Sequence, residues 1–341
     1  MSSRKAETFF LVTGGAGFIG SNFIRYTLSR YPKAKVVCLD VLTYAGNKDN
    51  LKGLPKNRLV FVKGDIANKT LVARLVKKYK PTYVVHFAAE SHVDRSIHGE
   101  ADTFVRTNVL GTTALLSALK GARSIKKIVH VSTDEVYGAL PLKGGKKFTE
   151  GSLLLPNSPY AASKAASDLV ARSYFKTYNL PIVITRCSNN YGPYQYFEKL
   201  IPFSIMRLME GKPVTIYGDG KYVRDWIHVE DHSSAVLLAL KKGIPGQIYN
   251  IGADDEVSNI TLARRLLKYF KKGESAIAHV KDRPGHDRRY AIDASKIRRE
   301  LGWKPKHTFN KSFEGTVAWY VEHMGWMKKA LARTGRANTH L

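Results

Sequence analysis

Cysteine is scarce: Cys38 and Cys187 are the only two in 341 residues. Each sits in an apolar, strand-like run. Both therefore read as buried free thiols of a reducing compartment, not as a disulfide framework. No His/Cys cluster carries metal-ligand spacing, and no metal is expected. His228 and His232, four residues apart, read as lining a helix start. Long hydrophobic runs are missing as well. No stretch approaches the roughly 20 apolar residues of a membrane span, so no membrane partner is expected. The opening "MSSRKAETFFLVTGG" has too short an apolar run for a secretory leader and no small-residue cleavage site. These absences point to a cytoplasmic protein.

Acid is the other shortage. Lys+Arg number 55 against 28 Asp+Glu, a formal charge of +27. Such a balance attracts polyanions in general. There is, however, no zinc-finger pattern and no ribonucleoprotein-type aromatic motif. Many lysines fall on polar helix faces, as in "RLVKKYK" and "RLLKYFKKG". The charge therefore reads as a solvated basic surface, and no nucleic-acid partner is expected. Internal repeats and low-complexity linkers are absent too.

What is present is a long α/β pattern. At 341 residues the chain exceeds one core, and a large domain with a smaller appendage is expected. Short β-branched runs ("FFLVTG", "KVVCLD", "RLVFVKGD", "TYVVHFAAE", "KIVHVST", "PIVITRC") alternate with amphipathic stretches at 70–79 and 107–122. That alternation predicts a Rossmann-type, doubly wound parallel sheet covered on both faces. After residue 186 the texture turns aromatic and turn-rich. We expect an NAD-binding domain over 1–185, with 225–250 returning to it. A smaller, discontinuous α/β substrate-binding domain would take 186–224 and 251–330, and 331–341 would be a basic tail.

"VTGGAGFIGSNF" follows the first strand and opens a helix. Gly15, Gly17 and Gly20 satisfy G-x-G-x-x-G; Gly14, Gly17 and Gly20 satisfy the longer G-x-x-G-x-x-G spacing. Glycine allows the tight turn, the close approach to a pyrophosphate and the packing of helix on strand. The helix N-terminus then offers N–H donors to phosphate. Asp40 ends the second strand, twenty residues past Gly20. A carboxylate there accepts from ribose hydroxyls and repels a 2′-phosphate, which favours NAD.

"NSPYAASKAASDLVARSYFKTYNLP" reads as one helix, with Ser158 as N-cap and Pro159 at its first position. Tyr160 and Lys164 are i and i+4 and share a face. An ammonium beside a phenol would lower its pKa toward use as a base. In "STDEVYG" (132–138), Thr133, Asp134 and Glu135 close the fifth strand. Ligands of parallel sheets sit beyond such carboxyl ends. In a continuing strand the two acids would face opposite sides, so the strand should break or twist here. Tyr137 reads as a loop-closing residue beside Gly138, not as the base.

The glycine turn with Tyr160 and Lys164 resembles the extended short-chain dehydrogenase/reductase superfamily. Further blocks narrow the match: "FAAESHVDRS", "STDEVYG", "SPYAASKA", "RCSNNYGPYQ", "EKLIP", "VRDWIHVEDH", "YNIG" and "DRPGHDRRYAID". In order and over nearly the whole chain, these resemble the dTDP-glucose 4,6-dehydratase family. Epimerases and decarboxylases of the superfamily share Tyr160 and Lys164 but typically lack the Asp-Glu pair. GDP-mannose dehydratases usually place a serine between the Thr and the Glu. The UDP-glucose relative stays open, because thymine and uracil are not separated at this level. Five intact catalytic positions argue against a non-catalytic NAD-binding protein.

The resemblance implies oxidation of the sugar at C4 by NAD, loss of water across C5 and C6, and reduction at C6, in nucleotide-sugar (deoxysugar) biosynthesis. It implies Tyr160 as the base for the 4-hydroxyl, Glu135 as the C5 base, Asp134 as the acid for the 6-hydroxyl and Thr133 as a ligand of the 4-oxygen. Phe18, Ile19, Thr43, Asp65, Ile66, Ala88, Ala89, Ser91, Thr107 and Asn190 would border the cofactor, together with Tyr160 and Lys164. Ser91, Thr133, Asn189, Lys199, Leu200, Tyr217, Arg224, Asn259, Asp282 and His286 would hold the sugar nucleotide. Members of the family commonly pair helices as homodimers.

Overall fold

The computed structural model describes residues 8–334 apart from Glu100. The N-terminal segment weighed as a leader and the expected basic tail 331–341 thus lie partly outside the described residues. Six parallel strands come first in the chain: β1 (Thr8–Thr13), β2 (Ala34–Asp40), β3 (Leu59–Lys63), β4 (Tyr83–His86), β5 (Lys127–Thr133) and β6 (Ile182–Cys187). The sheet runs β3-β2-β1-β4-β5-β6, and strand Ile248–Ile251 closes it beside β6. Every pairing is parallel.

Side chains alternate across this sheet with period two. Phe10, Val12, Val36, Cys38, Val85, Val129 and Val183 pack on one face, under helices Phe18–Arg30 and Val229–Lys242. Leu11, Val37, Leu39, Val84, Ile128, Ile182 and Ile184 pack on the other, under Lys69–Tyr79, Thr112–Leu119 and Pro159–Tyr178. Both faces are apolar, so the strands show unbroken hydrophobic runs in place of a polar alternation.

The smaller unit has its own core. Tyr191, Ile201, Trp226, Leu262, Phe309, Val317 and Tyr320 form it. Strand Val223–His228 lies between Asn189–Tyr191 and Glu256–Ser258, outside the seven-stranded sheet. The chain rejoins the large core at helix Val229–Lys242. Helix Ser295–Leu301 also packs there, through Ala294, Ile297 and Leu301.

Two elements differ from the sequence expectation. The 82–90 run leaves the sheet at His86, so Phe87 to Glu90 become crevice wall. The 107–122 helix starts earlier and contains a π-helical segment, Val105–Gly111, between Ala101–Phe104 and Thr112–Leu119. Asn108 in that segment accepts from Glu90 N (2.9 Å) and donates to Glu90 O (3.0 Å) and Ser163 Oγ (2.8 Å). One wide turn thus fastens the post-β4 loop to the helix that carries Tyr160.

Candidate active site

The glycine turn leaves β1 at Gly14, whose φ is +68°. A Cβ there would stand 2.5 Å from Ala88 N. A Cβ on Gly20 would collide with Gly14 O. Gly17 precedes helix Phe18–Arg30, and no side chain caps that helix start. The first N–H groups are thereby left to an outside acceptor, and the helix dipole favours an anion. Asp40 Oδ2 accepts from Ala16 N (2.9 Å) and Oδ1 from Leu42 N (2.8 Å). Burial raises its pKa against those two hydrogen bonds. A crevice that no side chain fills, an open helix N-terminus and an acid at the second strand's end fit a dinucleotide.

One cleft joins this cradle to the end of β5. It brings together Gly14, Gly17, Phe18, Ile19, Gly20, Asp40, Thr43, Asp65, Ile66, Ala88, Ala89, Ser91 and Thr107. Its far end adds Thr133, Asp134, Glu135, Tyr160, Lys164, Asn189, Asn190 and Lys199. Leu200 begins the next helix, behind Lys199. Tyr217, Arg224, Asn259, Asp282 and His286 do not line the cleft. They form a neighbouring layer: Tyr217 donates to Asp94 Oδ2 (3.2 Å), and His286 Nδ1 lies 2.7 Å from Asp282 Oδ1. Arg224 stands 4.2 Å over the Tyr290 ring and donates to Asp287 O. Asn259 N donates to Tyr222 O (2.9 Å).

β5 breaks at Thr133, and Asp134–Tyr137 make a single 3₁₀ turn. Thr133 Oγ1 accepts from Glu135 N (3.3 Å) and donates to Asp134 Oδ1 (3.4 Å). The turn aims both acids at one cleft, which a straight strand would not do. Their surroundings differ. Asp134 is 2% exposed, and its pKa stands well above the carboxyl range through burial, then through Glu135 and Asp225. Burial also raises Glu135, but the positive charges of Arg283, Lys199 and Arg224 oppose it. Both acids are thus raised, Asp134 the further, and the cations beside Glu135 leave the proton held more firmly on Asp134. Tyr137 is buried elsewhere: its hydroxyl donates to Asn250 Oδ1 (2.8 Å) under the Arg186 guanidinium.

Helix Pro159–Tyr178 starts as expected, with Ser158 Oγ accepting from Ala161 N (3.1 Å). The expected electrostatics of Tyr160 need correction. Lys164 Nζ donates to Val131 O (2.8 Å), near the carboxyl end of β5, in place of the phenol. Burial and the charge of Glu135 push the Tyr160 pKa well up, with the Thr133 hydroxyl pulling the other way.

Two residues escaped the sequence reading, Glu198 in the cleft and Arg283 in the neighbouring layer. Glu198 lines the cleft, and burial lifts its pKa to about 7. Arg283 donates to Asp94 Oδ1 (2.7 Å). Their signal was adjacency: Glu198 precedes Lys199, and Arg283 follows Asp282. Among the described residues His228, Glu230 and His307 place ligand atoms within 4.8 Å. His228 Nδ1, however, caps its helix by accepting from Glu230 N, and His307 Nδ1 lies 3.1 Å from Asp231 Oδ2.

The family model described as GDP-mannose 4,6 dehydratase matches residues 11–316. A dTDP-glucose 4,6-dehydratase of Xanthomonas campestris pv. campestris is 49% identical, over 94% of this chain and 95% of its own. That of Salmonella typhimurium is 46% identical, over 93% and 94%. The dTDP-glucose 4,6-dehydratase of Streptomyces venezuelae, solved with NAD bound, superposes with a TM-score of 0.91 at 49% identity, over 95% of this chain and 100% of its own. A UDP-glucose 4-epimerase of Thermotoga maritima is more distant, with TM-score 0.85 and 28% identity over 93% and 100%.

Proposed function

The chain belongs to the GDP-mannose 4,6 dehydratase family, among its dTDP-glucose 4,6-dehydratases, and from that premise we propose the residue roles below. The reaction is NAD-dependent dehydration of dTDP-glucose to dTDP-4-keto-6-deoxyglucose. NAD, when bound, supplies the oxidant for C4 and the reductant for C6. The cradle of Gly14, Gly17, Gly20 and Asp40 would hold it.

Tyr160 takes the 4-hydroxyl proton, and Thr133 donates to the 4-oxygen. A ketone at C4 acidifies the C5 proton, so the Glu135 carboxylate suffices as base. Hydroxide is a poor leaving group, so Asp134 must arrive protonated. The unequal surroundings of the two acids carry this reading. Lys199, with Arg224 and Arg283 behind it, suits the diphosphate. The seven-stranded unit would take the cofactor and the smaller unit the sugar nucleotide. Two buried free cysteines suit a cytoplasmic home. A homodimer would seat on Val105, Leu110 and Leu169, exposed apolar residues of two helical segments that pack side by side.

Mass spectrometry tests the function. Purified protein should convert dTDP-glucose to a product lighter by one water without added reductant, and faster than UDP-glucose. Unchanged dTDP-glucose would sink the reading.

A further inference from the structure

The helix that ends the described chain, Met324–Thr334, reaches back to the cofactor cradle. It belongs to the smaller unit: Met327 and Ala330 are part of that core, and Trp326 packs against it. Yet Trp326 Nε1 donates to Asn50 Oδ1 (2.9 Å), 276 residues away in the chain. Asn50 sits in the short turn Lys48–Leu51 and is 1% exposed. Its Nδ2 donates in turn to Ala16 O (2.9 Å), inside the glycine turn. A second contact runs beside the first. Arg333 Nη2 donates to Tyr44 O (3.1 Å), and Tyr44 lines the cleft next to Thr43.

What this bridge holds is the backbone of Ala16. Its N–H donates to Asp40 Oδ2, and its carbonyl accepts from both Asn50 Nδ2 and Asn47 N. A peptide unit is planar, so a fixed Ala16 carbonyl fixes how the chain enters Gly17 and the uncapped helix start at Phe18. The two partners of the Asn50 amide also decide which way it points. An indole N–H can only donate, and a backbone carbonyl can only accept. Oδ1 therefore faces Trp326, and Nδ2 faces Ala16. Without the indole N–H, the buried Oδ1 loses its partner and the amide one of its two anchors. Arg25 of the cradle helix braces the same turn. Its Nη2 donates to Asn50 O (2.8 Å) and Lys52 O (2.6 Å), and its guanidinium lies 4.8 Å over Tyr194, whose ring is 5.9 Å from that of Trp326.

We propose that the C-terminal helix is a latch that retains NAD: Trp326, acting through Asn50, holds the glycine turn in the shape that receives the pyrophosphate. Neither residue lines the cleft, so both are positioning residues. The inference rests on the cradle described above and on a reaction that restores NAD within each turnover. A cofactor that ends each cycle as it began has no need to leave, and slow departure keeps the site loaded. The cradle binds the dinucleotide; the helix that arrives last in the chain keeps it. The same bridge ties the smaller unit to the cofactor's half of the cleft.

Calorimetric titration of the cofactor-stripped full chain with NAD tests this. Trp326→Phe keeps an aromatic ring and removes the N–H. Its Kd for NAD should rise roughly tenfold, the scale of one buried group left without its hydrogen-bond partner. Its Kd for dTDP, held at the other end of the cleft, should stay that of wild type. Asn50→Ala should weaken NAD at least as much, and adding Trp326→Phe to it should weaken NAD no further. If Trp326→Phe does not fold, Asn50→Asp takes its place: it still accepts from Trp326 but sets an acceptor against the Ala16 oxygen, and NAD should weaken again by at least tenfold. Unchanged NAD affinity in Trp326→Phe or in Asn50→Asp would overturn the latch. So would an equal loss of dTDP affinity, or a Trp326→Phe effect of full size on the Asn50→Ala background, since either marks general packing. Wild-type protein that binds no NAD would instead defeat the cradle on which the latch acts.

Discussion

Single residues in this protein are set by what surrounds them more than by their own chemistry. Asp225 shows it outside the reacting atoms. It is 1% exposed, accepts from Asp255 N (2.8 Å), and burial raises its pKa to about 6. A raised folded-state pKa means stability that is present below the unfolded value and lost as pH rises through about 6. Asp225→Asn keeps the acceptor and removes the titration. Between pH 5 and 8 its melting temperature should gain on wild type, by an amount corresponding to about 1.4 kcal/mol, the roughly one pH unit of that window that lies below the folded pKa. Thermal melts at the two pH values check this; a constant difference would contradict it. The same lesson limits what a sequence reveals at this scale. Thr133, Asp134 and Glu135 stand out in the sequence by type and order, and one cleft brings them together. The state of Tyr160 was not legible. A spacing of four puts Lys164 on the right face, but Val131 O, from another strand, decides where its ammonium points.

Elements were legible where their ends are written in local chemistry. Helix Pro159–Tyr178 announces itself through Ser158 and Pro159, and the structure starts it there. The π-helical segment Val105–Gly111 was not legible, since one wide turn barely changes the hydrophobic period. Its reason is tertiary: Asn108 must reach both backbone groups of Glu90 and the Ser163 hydroxyl. Asn108→Ala would strip the buried Glu90 N–H and C=O of partners. Each buried unsatisfied group costs about 1–3 kcal/mol, so a loss of roughly 2–5 kcal/mol in denaturant unfolding is expected. Turnover should fall with it, because the tie to the Tyr160 helix goes too. A loss below about 0.5 kcal/mol, the scale of an ordinary surface change, would show that the segment is held by other means.

At the scale of the whole molecule, the parallel sheet was legible because both its faces are apolar, and the second unit was legible only as a change of texture. Its sheets are short, and their strands pair across long gaps, such as Asn189–Tyr191 with Val223–His228. No local pattern encodes such a pairing. The surface offers one further expectation. Leu110 is 58% exposed and Leu169 57%, on neighbouring helical segments. Sedimentation should give twice the 38.1 kDa chain mass, and Leu110→Glu with Leu169→Glu should give single chains; a dimer that survives both changes would place its seat elsewhere. The ion pair between Arg283 and Asp94 spans 189 residues of chain. That span has a consequence in time. Domains tend to fold from the N-terminus as the ribosome delivers them. The turn bearing Asp134 and Glu135 is delivered about 150 residues before Arg283, so the nascent chain carries its paired acids before the last of the cations that oppose their shifts. An emerging chain therefore holds a cofactor cradle well before it holds a working site, and a truncated product would bind without turning over.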